Sequence, residues 1–506
     1  MSTPSEPVTS EEAPRVIGPL SAFSIVAGSM IGVGIFIFTP QIAKSMGSVE
    51  GFFGMLLLGG LFAYAGSVAC GELGAMMPRA GGDYVFQREA FGPSMAFGTG
   101  WVLFAAIFAG STALMSVAVF QFDVGPLLGI DLGKEVALGL SGAQLLAIAL
   151  IIALTTLNTL GTGLSANIQT VLTLAPIALL VGIAAWVLVT APPIVNPPKP
   201  GALAPGLTIG GFAAGFIATN FIFSGWINII YVAAEVKEPG RNIPRAMTLG
   251  TAAVTALYIL LGALFVIVLG LPGIAGTYET GTATADALGS KVLSRVVLVG
   301  ITVAILTSIN ATVLAAGRVG YAMGKAGAFL KSVGVLSGRH RTPARALWIH
   351  AAIATLIVIT GTSDAIGKMT SIAMFVTGGL TVTSLFVLRR KRPEMARPYK
   401  AFLYPVLPGL YVLLAVLAVV IQVNDAFDQN NLVGWYPLIG VGILAVTWVG
   451  HLLYSRKWKQ ATVVGLSFLV GGLAFGDSIG SQTPARAAVG AAGGVAVGAV
   501  GVPTGA

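Results

Sequence analysis

Gly28-Ser29-Met30-Ile31-Gly32-Val33-Gly34-Ile35-Phe36 is the stretch whose reading decides the fold. Three of its glycines fall within seven residues. Each costs a helix about 1 kcal/mol relative to alanine and tolerates backbone angles that other residues resist. The stretch lies midway along an apolar segment, roughly residues 18–43, long enough to cross a bilayer. A helix that stops and restarts inside the membrane is expected here. Peptide groups released from helical pairing in hydrocarbon cost several kcal/mol each, so they must line a cavity and meet a ligand.

Outward from this stretch the apolar character continues. Of 506 residues, 56% are hydrophobic and only 9% charged, with a mean hydropathy of +0.90. A soluble chain of that length needs a charged surface, and this one has none to spare. Apolar runs of about 20 residues, enough to span ~30 Å of hydrocarbon as helix, recur along the chain. They fall at roughly residues 18–43, 51–77, 95–122, 143–160, 167–190, 212–235, 248–270, 293–317, 346–361, 369–388, 402–423 and 435–455. These segments, called spans 1 to 12 below, predict an all-α polytopic membrane protein with 12 transmembrane helices. The 67 glycines suit close helix packing in lipid.

Span 6 contains Phe221-Ile222-Phe223-Ser224-Gly225-Trp226, a second and weaker break. It comes five spans after the first. Five is odd, so a second copy of a five-span unit enters the membrane inverted. Interrupted helices at corresponding positions of two halves point to a transporter's binding site. Free amides at a half-helix start suit a carboxylate, and free carbonyls at a half-helix end suit an ammonium or Na⁺. One small zwitterion satisfies both.

The net charge of +9 does not indicate nucleic acid, because the basic residues sit in short loops. The loops and tails on the N-terminal side hold 22 of the 28 Lys and Arg residues, which places both termini in the cytoplasm and the protein in the cell membrane. Arg389-Arg390-Lys391-Arg392 is the densest cluster and reads as an orientation and headgroup signal. The single cysteine, Cys70, excludes an intrachain disulfide and reads as a packing residue. Residues 1–17 form a polar tail without the features of a signal peptide. Residues 459–506 form a Gly/Ala-rich tail with room for one short extra helix.

At the two breaks the sequence resembles the amino acid–polyamine–organocation (APC) superfamily, most nearly its bacterial L-type-like amino-acid permeases. Four motifs carry the resemblance: GSMIGVGIF in span 1; MPRAGGDY, Met77 to Tyr84; FIFSGW with EVKEPGRNIPRA, Glu235 to Ala246; and SINATVLAAGR, Ser308 to Arg318. The resemblance implies a five-plus-five inverted repeat of the LeuT type, with spans 1–5 in residues 18–200, spans 6–10 in 201–390 and spans 11–12 in 391–458. It implies alternating access, with Gly28, Ser29, Met30, Ile31, Gly32 and Gly34 in contact with substrate. From span 6 it adds Phe221, Phe223, Ser224, Gly225 and Trp226, with Phe221 closing over the substrate. Met77 to Tyr84 is expected to pack under the inner gate, near ion pairs of Glu235, Lys237, Arg241 and Arg245. The 271–292 loop is expected to act as a lid.

No Asp, Glu, Lys, Arg or His lies near the middle of a span; Glu72, Asp123, Glu235, Arg318, His350 and His451 fall towards span ends. Charge at the bilayer centre is costly and usually functional. Its absence argues against a mid-membrane carboxylate relay and for a neutral amino acid as substrate. Many relatives carry a lysine in span 5, and alignment through Gln169 and Thr173 puts Pro176 in its place. Ala304-Ile305-Leu306-Thr307-Ser308 in span 8 resembles the sodium site of coupled transporters with this fold. The matching positions are Gly28, Ile31, Ala304, Thr307 and Ser308, so Na⁺ is the expected coupling ion and no other cofactor is implied. Thr307 and Ser308 bonding helix carbonyls is the competing reading.

An enzyme is not indicated: the three histidines have no metal-ligand spacing, and no Walker loop or nucleophile elbow occurs. The expectation is a secondary active amino-acid transporter in a lipid bilayer. Exchange, proton coupling without Na⁺, and a non-transporting sensor of the same fold stay open as alternatives. Nothing in the sequence fixes an oligomeric state.

Overall fold

The computed structural model describes residues 14–429, apart from 191, 192, 196, 198, 205, 290, 339, 361 and 362, and a few helical positions between 442 and 450. Helices make up nearly all of it. Pro19–Met30, Val49–Met76, Pro93–Leu128, Gly142–Thr159, Thr162–Thr190, Ile209–Ile222, Pro239–Gly276, Lys291–Lys325, Ala344–Thr360, Ser363–Lys391 and Val406–Gln429 fall on spans 1 to 11 in order. Among the described residues, nine helices are long and apolar enough to cross a membrane, and the helices of spans 6 and 9 are shorter apolar ones. Span 12 at 435–455 lies outside the described residues except for those few positions, and the tail at 459–506 lies outside them altogether.

The burial pattern is that of a chain solvated by lipid. Span 5 turns Ser165, Gln169, Thr173 and Pro176 inward, while Val171, Leu174 and Val181 are exposed. This polar-in, apolar-out stripe reverses the order found in soluble proteins, because hydrocarbon rewards exposed apolar surface and buried polar groups find partners inside. Small residues bring the helices close: a Cβ on Gly250 of span 7 would lie 2.7 Å from Val26 of span 1.

The first half of span 1 sits among spans 5, 7 and 8. Before it, Ile17 forms a parallel bridge to the chain after span 6, with its amide donating to Glu235 O at 2.9 Å and the Lys237 amide donating to Ile17 O at 2.9 Å. The helix of span 7 runs on to Gly276 with a break at Gly270 (φ 67°). The short helix Thr280–Ala287 follows, capped by the Glu279 carboxylate, and Thr280 Oγ1 donates to Phe36 O at 3.0 Å. The expected lid segment is thus tied to the second half of span 1. Of the basic cluster, Arg389 turns inward: its guanidinium binds the buried Glu72 carboxylate through two hydrogen bonds of 2.9 and 2.5 Å.

Candidate functional site

Span 1 unwinds where its glycines lie. Its first helix ends at Met30, Ile31 adopts φ −78°, ψ 84°, and helix resumes at Gly34. The loosened carbonyls are met by side chains from neighbouring spans. Ser308 Oγ of span 8 donates to Ser29 O at 3.0 Å, and the Tyr258 hydroxyl of span 7 donates to Met30 O at 2.6 Å. The amides of Val33, Gly34 and Ile35 have no partner among the described residues. They are the donors an anion would use.

Span 6 breaks at Phe223 and resumes with the turn Asn228–Tyr231. Gly225 has φ +100°, and a Cβ there would lie 2.4 Å from Ser29 O. A Cβ on Gly34 would lie 2.9 Å from Phe221 O. The two unwound segments therefore cross backbone to backbone, each supplying the glycine that lets the other approach. Ser224 closes its own turn, its hydroxyl donating to Phe221 O at 2.9 Å.

A cavity of about 150 Å³ opens at this crossing. A volume of this order holds a benzene-sized molecule in an engineered protein cavity, so a small amino acid is the right scale. Ser29, Met30, Gly32, Gly34, Phe221, Ser224, Gly225 and Trp226 line it, with Ser308 and Thr312 from span 8. Phe38 and Phe221 stack at its edge, ring centroids 5.0 Å apart and planes 13° from parallel.

One part of the cavity wall comes from the segment between spans 2 and 3. Asp83, at the start of the short helix Asp83–Phe91, lines it together with Tyr231, and the Tyr231 hydroxyl donates to Asp83 Oδ2 at 2.9 Å. Burial pushes the Asp83 carboxyl from its ordinary range up to about 7, against the lowering pull of the Tyr231 and Thr381 hydroxyls. Beneath it, Arg318 of span 8 donates through Nε to Glu235 Oε1 at 2.9 Å and through Nη2 to Thr162 Oγ1 of span 5 at 2.6 Å. Both charged side chains are almost wholly buried, at 1% and 4% exposure.

A family model for amino acid permeases matches residues 17–449, a stretch that includes both breaks. The chain belongs to that family. The permease is 29% identical to the human b(0,+)-type amino acid transporter 1 over 414 residues, 81% of this chain and 83% of that protein. It is 28% identical to the serine/threonine exchanger SteT of Bacillus subtilis over 417 residues, 79% and 89% of the two chains. It is 25% identical to the human cystine/glutamate transporter over 421 residues, 82% of each. These are transporters of amino acids, so the permease is a multi-pass membrane transporter and not an enzyme.

Within the permease, Pro176 takes part in a contact that the sequence did not announce. Proline has no N–H to give the carbonyl four residues earlier, so Leu172 O is released from its helix. Thr307 Oγ1 of span 8 reaches it at 3.0 Å while also lying 2.8 Å from Val303 O. Thr307 also packs its methyl against Gly28, beside Thr173 and Gln169. A polar chain continues along the same seam: Asn310 Nδ2 donates to Gln169 Oε1 at 2.8 Å, and Asn158 Nδ2 donates to Asn310 Oδ1 at 2.8 Å.

Among the residues expected from sequence, Gly28, Ile31 and Phe223 lie off the cavity wall. Gly28 faces spans 5 and 8, and Phe223 packs edge-on to Tyr258 at 5.1 Å. Ser308 and Thr307 both touch the span 1 break or its flank, and both donate to backbone carbonyls, as such residues do in membrane helices. The sequence reading missed Asn220, whose buried Nδ2 has no partner, together with Ser111, Met115, Thr370 and Thr377 of the lining. It placed Asp83 in the stretch expected to pack under the inner gate and did not count it among the lining. The glycines before it, Gly81 (φ +110°) and Gly82 (φ +46°), fold that loop back under span 6, where the Gly81 amide donates to Tyr231 O at 3.1 Å.

Proposed function

We propose that the permease is a secondary active transporter of neutral amino acids, working by alternating access in a five-plus-five inverted repeat with both termini cytoplasmic. The observation that carries this is the backbone crossing at Gly34 and Gly225 beside a cavity of about 150 Å³. The unpartnered amides of Val33 to Ile35 receive the substrate carboxylate. Its ammonium meets carbonyls at the span 6 break, in the Phe221 to Ser224 stretch, since Gly28 lies off the cavity wall. The lining supports a neutral side chain: Asp83 is its one carboxyl among the described residues, it is held by Tyr231, and burial raises it from its ordinary range to about 7.

Na⁺ is the proposed coupling ion, held by oxygens of Gly28, Ile31, Ala304, Thr307 and Ser308. A hard monovalent cation is served by neutral oxygens, and Pro176 supplies no competing positive charge. Ser308 already bonds the span 1 break through Ser29 O, and a cation there would tie the same two spans. Obligatory exchange is the second reading, favoured by the likeness to a protein named a serine/threonine exchanger.

Counterflow of all twenty amino acids in proteoliposomes tests the substrate class; strong competition by arginine against alanine or leucine overturns neutrality. Replacing Na⁺ by choline tests coupling, and unchanged uptake rejects it. Uptake into vesicles without internal amino acid separates symport from exchange.

A further inference from the structure

Span 11 contributes one side chain to the cavity, Tyr411. Its ring is firmly held. It stacks on Phe62 of span 2, centroids 4.2 Å apart and planes 7° from parallel, and Trp226 meets it edge-on at 5.9 Å. Two glycines make room for it. A Cβ on Gly66 of span 2 would lie 2.8 Å from Tyr411 Cε2, and a Cβ on Gly378 of span 10 would lie 2.5 Å from the hydroxyl oxygen. A buried tyrosine hydroxyl ordinarily finds a partner. This one bonds no described residue, and its oxygen is not sealed from open space. Asn220, one residue before Phe221, is a second such group. It lines the same cavity and is half-buried. Its Nδ2 is buried without a partner, while Oδ1 is neither bonded nor buried and is the open end of the amide. By contrast, the hydroxyls of Ser224, Ser308 and Thr312 each donate to a backbone carbonyl.

Two neutral polar groups, held in place and left without protein partners, are suited to a ligand that carries its own hydrogen-bonding group. We propose that the permease selects small amino acids whose neutral side chain bears a hydroxyl or a carboxamide, and that Tyr411 and Asn220 read that group. The Tyr411 hydroxyl donates to the side-chain oxygen, and Asn220 Oδ1 accepts its O–H or N–H. Both can act at once on serine, threonine or asparagine, which match a cavity of about 150 Å³. An aliphatic side chain of the same shape drives water from both groups and gives neither a partner, so it binds less well. Neither group is charged, in keeping with a neutral substrate. The inference deepens the transporter reading above and rests on it, and it is independent of the coupling ion.

The test uses the full chain in proteoliposomes and compares substrates of nearly equal shape, threonine with valine and asparagine with leucine. Counterflow kcat/KM is expected to favour the polar member of each pair at least about tenfold. Tyr411→Phe keeps the ring and its packing and is expected to lower that ratio about threefold or more. The double variant Asn220→Leu with Tyr411→Phe is expected to bring it to about one. A residue that only supports the fold would slow both members of a pair alike and leave the ratio where it was. Equal or reversed preference in the unaltered protein overturns the proposal, as does a ratio undiminished in both variants. If the double variant does not elute monodisperse, Tyr411→Phe decides alone, and an undiminished ratio there overturns the proposal. Absence of counterflow with every amino acid overturns the transporter reading instead, and this inference with it.

Discussion

At the scale of single residues, glycine and aspartate carry the argument. Gly225 combines a φ of +100° with a Ser29 carbonyl oxygen 2.4 Å from where its Cβ would be. Backbone is on both sides of that contact, so no rotamer relieves it. Gly225→Ala is expected to cut counterflow more than about tenfold and to lower the melting temperature; the free-energy scale of such strain is roughly 1–3 kcal/mol. Gly225 is visible in the sequence as a break, but not as the residue that admits Ser29. Asp83 makes a separate prediction about stability. Its carboxyl is raised in the fold, from 3.8 to about 7, so the folded state holds the proton more tightly than the unfolded chain. Stability is therefore lost as pH rises from about 4 to about 7. Thermal melts across that window are expected to fall with pH, and Asp83→Asn to flatten the slope; a slope unaltered by the substitution assigns it elsewhere.

At the scale of elements, spans 5 and 8 are joined at the point where span 5 cannot complete its own hydrogen bonds. Pro176 frees Leu172 O, and Thr307 donates to it at 3.0 Å. Thr307→Val leaves that carbonyl without a donor in an apolar setting and is expected to cost roughly 1–3 kcal/mol. In a Pro176→Ala background the helix reclaims Leu172 O, and the same substitution is expected to cost about 1 kcal/mol less. A double-mutant cycle on unfolding in detergent measures that coupling; additive effects would mean that the two residues do not communicate. The sequence identified both residues, one as a missing lysine and the other as a hydroxyl, without linking them. The link requires knowing which faces of spans 5 and 8 meet.

At the scale of the molecule, a buried ion pair and a short backbone bridge tie the end of span 6 to span 8 and to the chain before span 1. Arg318 and Glu235 lie on spans 8 and 6 and are bound at 2.9 Å, with Thr162 of span 5 as a third member. Removing one member of a buried pair leaves an uncompensated charge, at roughly 3–5 kcal/mol. Arg318→Leu is expected to loosen that tie. Cys70, buried and the sole cysteine, interacts with Asp83 and Tyr231 of the cavity wall and so serves as a native reporter. Its labelling by a membrane-permeant maleimide is expected to quicken at least about tenfold in Arg318→Leu, and to slow again when Glu235→Gln is added; equal rates in all three proteins would show that the pair does not shield Cys70. The sequence placed both residues at span ends, and it listed Glu235 among gate charges without its partner.

Hydropathy over 506 residues was enough to fix helices in lipid, because apolar length and lipid thickness must match whatever the helices pack against. Glycine spacing was enough to place the interruption of span 1, because backbone freedom is a property of the residue itself. Tertiary structure alone decided the crossing of Gly34 with Phe221 and of Gly225 with Ser29, the reach of Thr307 to Leu172, and the entry of Asp83 into the cavity wall. Each of these depends on which groups are left unpaired when helices close-pack, and pairing between segments far apart in sequence leaves no periodic trace along the chain.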